Sequence, residues 1–352
     1  MRPLDLPVGL TVGHASEPFL RSIELAEQVE AAGLDFVSVG DAGSEAFALL
    51  GALAVRTRRI GLMSGIATWS RSPLTTAMAA KTVHNLSAGR FLLGVGPMPR
   101  NWATEWHGLS YDPVVGRMRE YLRAVRACLD ATPEHPADLA GQYFPVKAYP
   151  GHAVTPERRV PIALSATLPA MTRLAAELTD AVMLNTIQPW DWVTGPGREL
   201  VDEGLARGGR PRTSLEVGIM RFCAIHDDPA VAYDRVRRSI AFYYGIPYFR
   251  PLLAPFGFGK ELDAGERALA SGDRSAVIAS VSDRMVDAIG IAGTADQVVE
   301  RLEAYRGHVD WVQVSTGPNL PAGTAREQGE RLVQVLGAAR RASLRPGPWE
   351  PV

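Results

Sequence analysis

Short, almost wholly apolar runs recur along this chain, each followed by a longer stretch whose apolar residues fall three or four apart. Runs of the first kind read as strands buried on both faces, and stretches of the second kind as helices that cover them. Residues 6–12 open the series, and residues 19–32 form the next element, a helix that Gly33 ends, since glycine accepts left-handed backbone beyond a helix. A second strand at 35–39 delivers Asp41, and a helix covers 44–57. Residues 60–96 then form the clearest unit, a buried strand, a helix that starts at Pro73 and ends near Gly89, and a strand at 91–95. Its first strand breaks at Ser64-Gly65-Ile66 and resumes through Thr68 and Trp69.

After Gly96 the pattern loosens into a Pro97-Met98-Pro99 loop and a helix at 114–129. Residues 131–159, rich in proline and glycine, read as an excursion with a short hairpin around 141–146. Alternation resumes with strands at 160–164, 181–184 and 215–225 and helices at 169–178 and 192–207. A second excursion, near 243–292, opens on YYGIPYFRPLLAPFGFGKE and turns helical from 265 to 289. A helix at 294–305, a strand at 309–314 and a closing helix at 324–342 complete the chain. Eight strand–helix pairs with two insertions predict an α/β protein, a (β/α)8 TIM barrel forming one domain over residues 1–352.

Composition narrows the function classes. Hydrophobic residues at 46% and charged ones at 21% describe a globular protein, and a net charge of -1 gives no pull towards nucleic acid or an anionic membrane. The amino terminus lacks the apolar core of a signal peptide, so the expected location is the cytoplasm. Cys128 and Cys223 are too few for a disulfide framework or a cysteine metal cluster, and no metal site is expected.

A barrel of this kind places its active site at the carboxyl ends of the strands. Residues there are small, apolar or aromatic, with no Cys–His pair, carboxylate cluster or glutamate pair. That poverty of acids and bases predicts that a cofactor carries the chemistry.

The segment T-R-R-I-G-L-M-S-G-I-A-T-W-S-R-S-P, with N-L-S-A-G-R-F-L-L-G-V-G after it, resembles the luciferase-like monooxygenase superfamily of flavin and deazaflavin barrel enzymes. It is more similar to the coenzyme F420-dependent branch, and most to the methylenetetrahydromethanopterin reductase type. V-P-I-A-L-S-A-T-L-P-A-M-T-R-L-A-A-E-L-T-D-A-V-M-L-N-T and G-K-E-L-D-A-G-E-R-A-L-A-S-G-D extend the likeness over nearly the whole chain. The resemblance implies a non-prolyl cis peptide at Gly65-Ile66 forming a bulge behind the deazaflavin ring, with Asp41 near the ring hydroxyl. Asp41 also suits a helix cap. It implies further that Ser165-Ala166-Thr167 receives the cofactor phosphate, which the start of the next helix favours electrostatically. Thr68 and Asn185 are expected at the ring edge, or as capped strand ends, and Gly96 lets backbone come close.

Two departures leave the proton donor open: Ala42 stands where many relatives have histidine, and Pro97-Met98-Pro99 where many have a glycine and an acid. His14, Glu17 and His107 are the nearby candidates, with Glu105 beside them. Trp69, Trp102, Trp106, Tyr243 and Tyr244 are expected to wall a substrate pocket, the alternative being that the insertion packs on itself. The expected activity is hydride transfer between coenzyme F420 and a small organic substrate. The alternatives are an FMN-dependent monooxygenase using O2 and a barrel that only binds a flavin or other ligand. Expected partners are a small-molecule substrate, a second copy of the chain in a homodimer, and a separate reductase to supply reduced cofactor.

Overall fold

A computed structural model of the chain describes residues 3–13, 18–41, 45–151, 158–321 and 323–340. Its strands, in chain order, are β1 (Val8–Thr11), β2 (Phe36–Val39), β3 (Gly61–Ser64), β4 (Ala67–Thr68), β5 (Phe91–Gly96), β6 (Ala137–Leu139), β7 (Val146–Tyr149), β8 (Ile162–Ala166), β9 (Ala181–Leu184), β10 (Glu216–Ile225), β11 (Gly290–Gly293) and β12 (Trp311–Ser315). Parallel pairing runs from β12 through β1, β2, β3, β5, β8 and β9 to β10, and β10 pairs in turn with β12. Eight strands therefore close a barrel, the fold that the alternation predicts. β4 is a short continuation of β3 beyond a break, paired with the end of β5 through Ala67↔Val95 and Thr68↔Gly96.

The barrel interior is filled rather than hollow. Phe36, Met63, Leu92, Ala163, Met183 and Trp311 form its inner core, and Phe36 meets Trp311 edge to face at 5.5 Å. Two glycines make room for these rings: a Cβ on Gly9 would come within 2.3 Å of Phe36, and one on Gly218 within 2.1 Å of Trp311. Outside the strands, a second core of aliphatic side chains joins barrel and helices, as the two-sided apolar runs require.

Three boundaries differ from the sequence expectation. Gly195-Pro196 splits the helix expected at 192–207 into Trp190–Thr194 and Pro196–Gly208, because proline supplies no N–H to continue the first. The helical stretch in the second insertion becomes Gly259–Ala270, Arg274–Ala279 and Asp283–Ile289, broken at Gly272 (φ 75°) and capped by Asp273 and Ser282. Beyond it lies β11, not anticipated, which pairs with the outer half of β10 through Phe222↔Gly290. The insertion has its own apolar core around Phe249, Leu253, Leu262 and Met285. In the first excursion β6 and β7 form an antiparallel hairpin, and Glu120 accepts N–H groups of Gln142, Tyr143 and Phe144 at its turn.

At the amino-terminal end of the barrel, Glu216 accepts a hydrogen bond from Trp311 Nε1 at 3.2 Å. Burial, and then the charge of Asp310, push its carboxyl up to about 7 against the lowering effect of the Trp311 bond. A raised carboxyl pKa means that the folded chain binds a proton that the unfolded chain releases between pH ~4.5 and ~7. Stability from this group is therefore present below pH ~4.5 and lost as pH rises to ~7. Glu216→Gln, which keeps an acceptor for Trp311, is expected to raise stability at pH 8 by about 2 kcal/mol and to change nothing near pH 4.5. Urea unfolding at the two pH values checks this, and an equal effect at both would contradict it.

Candidate functional site

The site is built where β2, β3, β5, β8 and β9 end. β3 stops at Ser64, whose hydroxyl donates to Gly94 O at 2.8 Å. The Gly65–Ile66 peptide bond is cis. Gly65 N–H donates to Val39 O (2.8 Å) and Asp41 N–H to Ile66 O (2.9 Å), so this segment crosses directly over the end of β2. Only glycine fits the crossing: a Cβ on Gly65 would lie 2.0 Å from Ser38 Oγ, and one on Gly40 would lie 2.8 Å from Gly65 O.

Asp41 braces the chain on either side of this crossing. Its Oδ1 accepts Ala46 N–H and its Oδ2 accepts Thr68 N–H, both at 3.0 Å. Arg71 bonds both oxygens, reaches Glu45 as well, and lies over the Phe47 ring at 5.2 Å. Burial alone would lower the Arg71 guanidinium, and the bonds and charges of Asp41 and Glu45 outweigh it and raise it. The carboxylate expected at a cofactor hydroxyl thus already serves the helix Ala46–Arg56, the Thr68 loop and Arg71. Thr68 is buried, and its hydroxyl pairs with Ser70 Oγ at 2.8 Å.

Ile66, Gly96 and Ser165 lie side by side. A Cβ on Gly96 would meet Ile66 Cδ1 at 2.7 Å and Ser165 Cβ at 3.1 Å, so the absent side chain lets Ile66 and Ser165 close over the buried backbone of Gly96. Ser165-Ala166-Thr167 leads into the helix Pro169–Leu178, which starts without a side-chain cap. Gln188, which no sequence pattern marks, fixes that loop: its Nε2 donates to Ala166 O (3.2 Å) and Thr167 O (3.0 Å), and its Oε1 accepts Asn185 N–H (2.7 Å). Asn185 Oδ1 is taken by Ile187 N–H at 3.2 Å. Arg221, fully buried, holds the same turn from outside by donating to Thr186 O (2.6 Å), Gln188 O (3.0 Å) and the Tyr305 hydroxyl (2.8 Å). An arginine inside the apolar run EVGIMRFCAI was the available clue to it.

Beneath Gly65, Ser38 Oγ and Gln313 Oε1 are buried without partners, while Gln313 Nε2 donates to Thr11 Oγ1 at 2.7 Å. Among the described residues no group of His, Cys, Asp and Glu could hold a metal ion.

The aromatic residues divide. Trp69 is buried edge-on against Tyr111, with ring centroids 5.6 Å apart. Trp102 and Trp106 stack at 4.5 Å on the π-helical turn Trp102–Trp106, whose wide pitch brings the two rings together, and Trp106 is 62% exposed. Tyr243 rests on Phe222 (6.0 Å) and Phe249 (6.1 Å). Tyr244 packs on the same Phe249 ring at 5.0 Å and on Gly265, and its hydroxyl donates to Glu261 O at 3.0 Å, so it belongs to the insertion's own core, the alternative that the sequence left open. His107 is exposed at the end of the π-helical turn, and His14 and Glu17 lie outside the described residues.

With side-chain exposures of 19% and 8%, the Arg71–Asp41 pair sits where removing one partner strands a charge. Arg71→Gln is expected to cost about 2–4 kcal/mol, and Asp41→Asn with Arg71→Gln less than the sum of the single changes. Denaturant titration of the four proteins checks the coupling, and simple additivity would show that the brace is not a unit.

The luciferase-like monooxygenase profile matches residues 6–309. The chain is 29% identical over 294 residues to the 5,10-methylenetetrahydromethanopterin reductase of Archaeoglobus fulgidus, covering 80% of this chain and 83% of that one. Among solved structures, the coenzyme F420-dependent tetrahydromethanopterin reductase of Methanopyrus kandleri superposes with a TM-score of 0.80 at 22% identity, over 95% of this chain and 98% of that one. The oxygenating constituent of 3,6-diketocamphane monooxygenase from Pseudomonas putida, in complex with FMN, gives 0.64 at 18%, over 96% and 99%. A barrel with these strand ends, matched along most of its length, belongs to the luciferase-like monooxygenase family.

Proposed function

We propose that the protein is an F420-dependent oxidoreductase acting on a small organic substrate. The observation that carries this reading is the break after β3, where Gly65 and Ile66 cross the end of β2 and stay partly exposed at the carboxyl end of the barrel, with the helix Pro169–Leu178 starting without a side-chain cap beyond the end of β8. A flat ring would lie against Ile66, and a phosphate beside the amino-terminal turn of Pro169–Leu178, where the helix dipole favours an anion. Ser165, Ala166 and Thr167 would hold that phosphate, the Asn185 amide and Thr68 would meet the ring edge, and Asp41 would keep the Thr68 loop in place. When bound, the deazaflavin supplies a hydride donor or acceptor that this residue set lacks. The protein's own part is to fix the ring and to place the substrate against its open face.

A relative from Mycobacterium tuberculosis named as a putative coenzyme F420-dependent oxidoreductase, 28% identical over 322 residues that cover 85% of this chain and 92% of that one, supports the F420 reading. A homodimer belongs to the same reading: Leu20, Val55, Met78 and Leu86 expose apolar surface on three helices that succeed one another around the barrel. A separate reductase that recharges the cofactor and a cytoplasmic location also belong to it. Among the described residues no helix is long and apolar enough to cross a membrane.

Titration of the purified protein with F420 and with FMN, monitored by ring fluorescence, tests the reading. F420 is expected to bind about tenfold or more tightly than FMN. Preference for FMN would sink the proposal in favour of an oxygen-using monooxygenase, and binding of neither would leave a barrel for some other ligand.

A further inference from the structure

β2 and β12 face each other across β1, and their inward side chains stack in layers. β1 pairs with β2 through Gly9↔Phe36 and Thr11↔Ser38, and with β12 through Gly9↔Gln313. Residues two apart in a strand share a face, so Ser38 stands above Phe36 and Gln313 above Trp311. The lower pair is apolar, two rings in edge-to-face contact at 5.5 Å. The upper pair is polar and as deeply buried, with Ser38 at 0% and Gln313 at 1% exposure.

Other polar side chains at this end of the barrel find partners within the chain. Ser64 Oγ donates to Gly94 O (2.8 Å), Thr68 Oγ1 pairs with Ser70 Oγ (2.8 Å), Ser315 Oγ accepts Gly317 N–H (3.2 Å), and Gln313 Nε2 donates to Thr11 Oγ1 (2.7 Å). Ser38 Oγ and Gln313 Oε1 have no partner and are not bonded to one another. Exchanging the oxygen and nitrogen of the Gln313 amide does not join them, because it changes the donor and leaves the atoms where they are. Both atoms nevertheless border one point. The position that a Cβ on Gly65 would take lies 2.0 Å from Ser38 Oγ and 3.5 Å from Gln313 Oε1, and no residue other than these two and the crossing segment itself comes nearer to it than 3.5 Å.

We propose that Ser38 and Gln313 form a binding site for one ordered water molecule beneath the Gly65–Ile66 segment. Buried polar atoms are paired as a rule, and where the chain supplies no partner an internal water does. The chemistry of the two groups selects it: a hydroxyl and an amide oxygen, both neutral, suit a ligand that can donate and accept and that carries no charge. The ring pair below and the crossing segment above restrict that ligand to a small one. The water donates to Gln313 Oε1 and shares a proton with Ser38 Oγ, so it ties β2 to β12 where no direct side-chain bond does, and it supports the crossing from the side away from the barrel mouth. The site is independent of which cofactor the barrel takes.

A high-resolution crystal structure of the wild-type protein and a urea-unfolding cycle test the site. Density for one water within hydrogen-bonding distance of both Ser38 Oγ and the Gln313 amide is expected. Ser38→Ala is expected to lower the folded-to-unfolded ratio about fivefold, because the water loses a partner. Removing a hydroxyl that is simply unpaired has the opposite sign, since it relieves a buried polar group. Gln313→Met with Ser38→Ala is expected to cost less than the two single changes together, although the side chains share no direct bond. The absence of that density, a Ser38→Ala protein as stable as the wild type or more so, or strict additivity would each overturn the proposal. The wild-type density decides the matter even where a variant fails to fold.

Discussion

One carboxylate holds the carboxyl end of the barrel in its working shape. Asp41 receives donors from the helix beginning at Ala46, from the Thr68 loop and from Arg71, while its own N–H supports Ile66 O. Without it, the break between β3 and β4 would keep its backbone bonds to β2 and β5 and lose the tie between the Thr68 loop and the helix beginning at Ala46. The brace also explains how a charged pair sits so far inside: each oxygen is used twice, so the cost of taking the charges out of water is offset by hydrogen bonds with good geometry.

Much of this was legible in the sequence, because the features that carry the barrel are local. Apolar runs mark the strands, Gly33 and Pro73 punctuate the helices, and Ser64-Gly65-Ile66 interrupts a run where an uninterrupted strand would be cheaper. The polar residues that shape the site were harder to read. Asp41 read as a cofactor ligand with a helix cap as the alternative, and in the structure it accepts the Ala46 N–H at the start of the helix while bracing a loop 27 residues away. Gln188 and Arg221 act on backbone carbonyls of other segments, which no spacing within their own segments announces.

Glycine does opposite work at the two ends of the barrel. Low in the interior, Gly9 and Gly218 give up side chains so that Phe36 and Trp311 can plug the floor. At the other end, Gly40 and Gly65 give up side chains so that backbone can cross backbone, and Gly96 gives up its own to the Ile66 and Ser165 side chains that cover it. The first arrangement seats rings in the interior and the second lets one segment cross another, so the same residue type packs the floor of the barrel and shapes the end of β3.

β10 is longer than its neighbours and has two partners on one edge, β9 against its first half and β11 against its second. The second insertion leaves the barrel from the helix after β10 and returns to β10 through β11, with its own apolar core in between. Both of its ends are therefore anchored to a single wall. A segment attached in this way can be rebuilt or exchanged without disturbing the hydrogen bonds that close the ring. The closed ring and the insertion can thus change independently of one another.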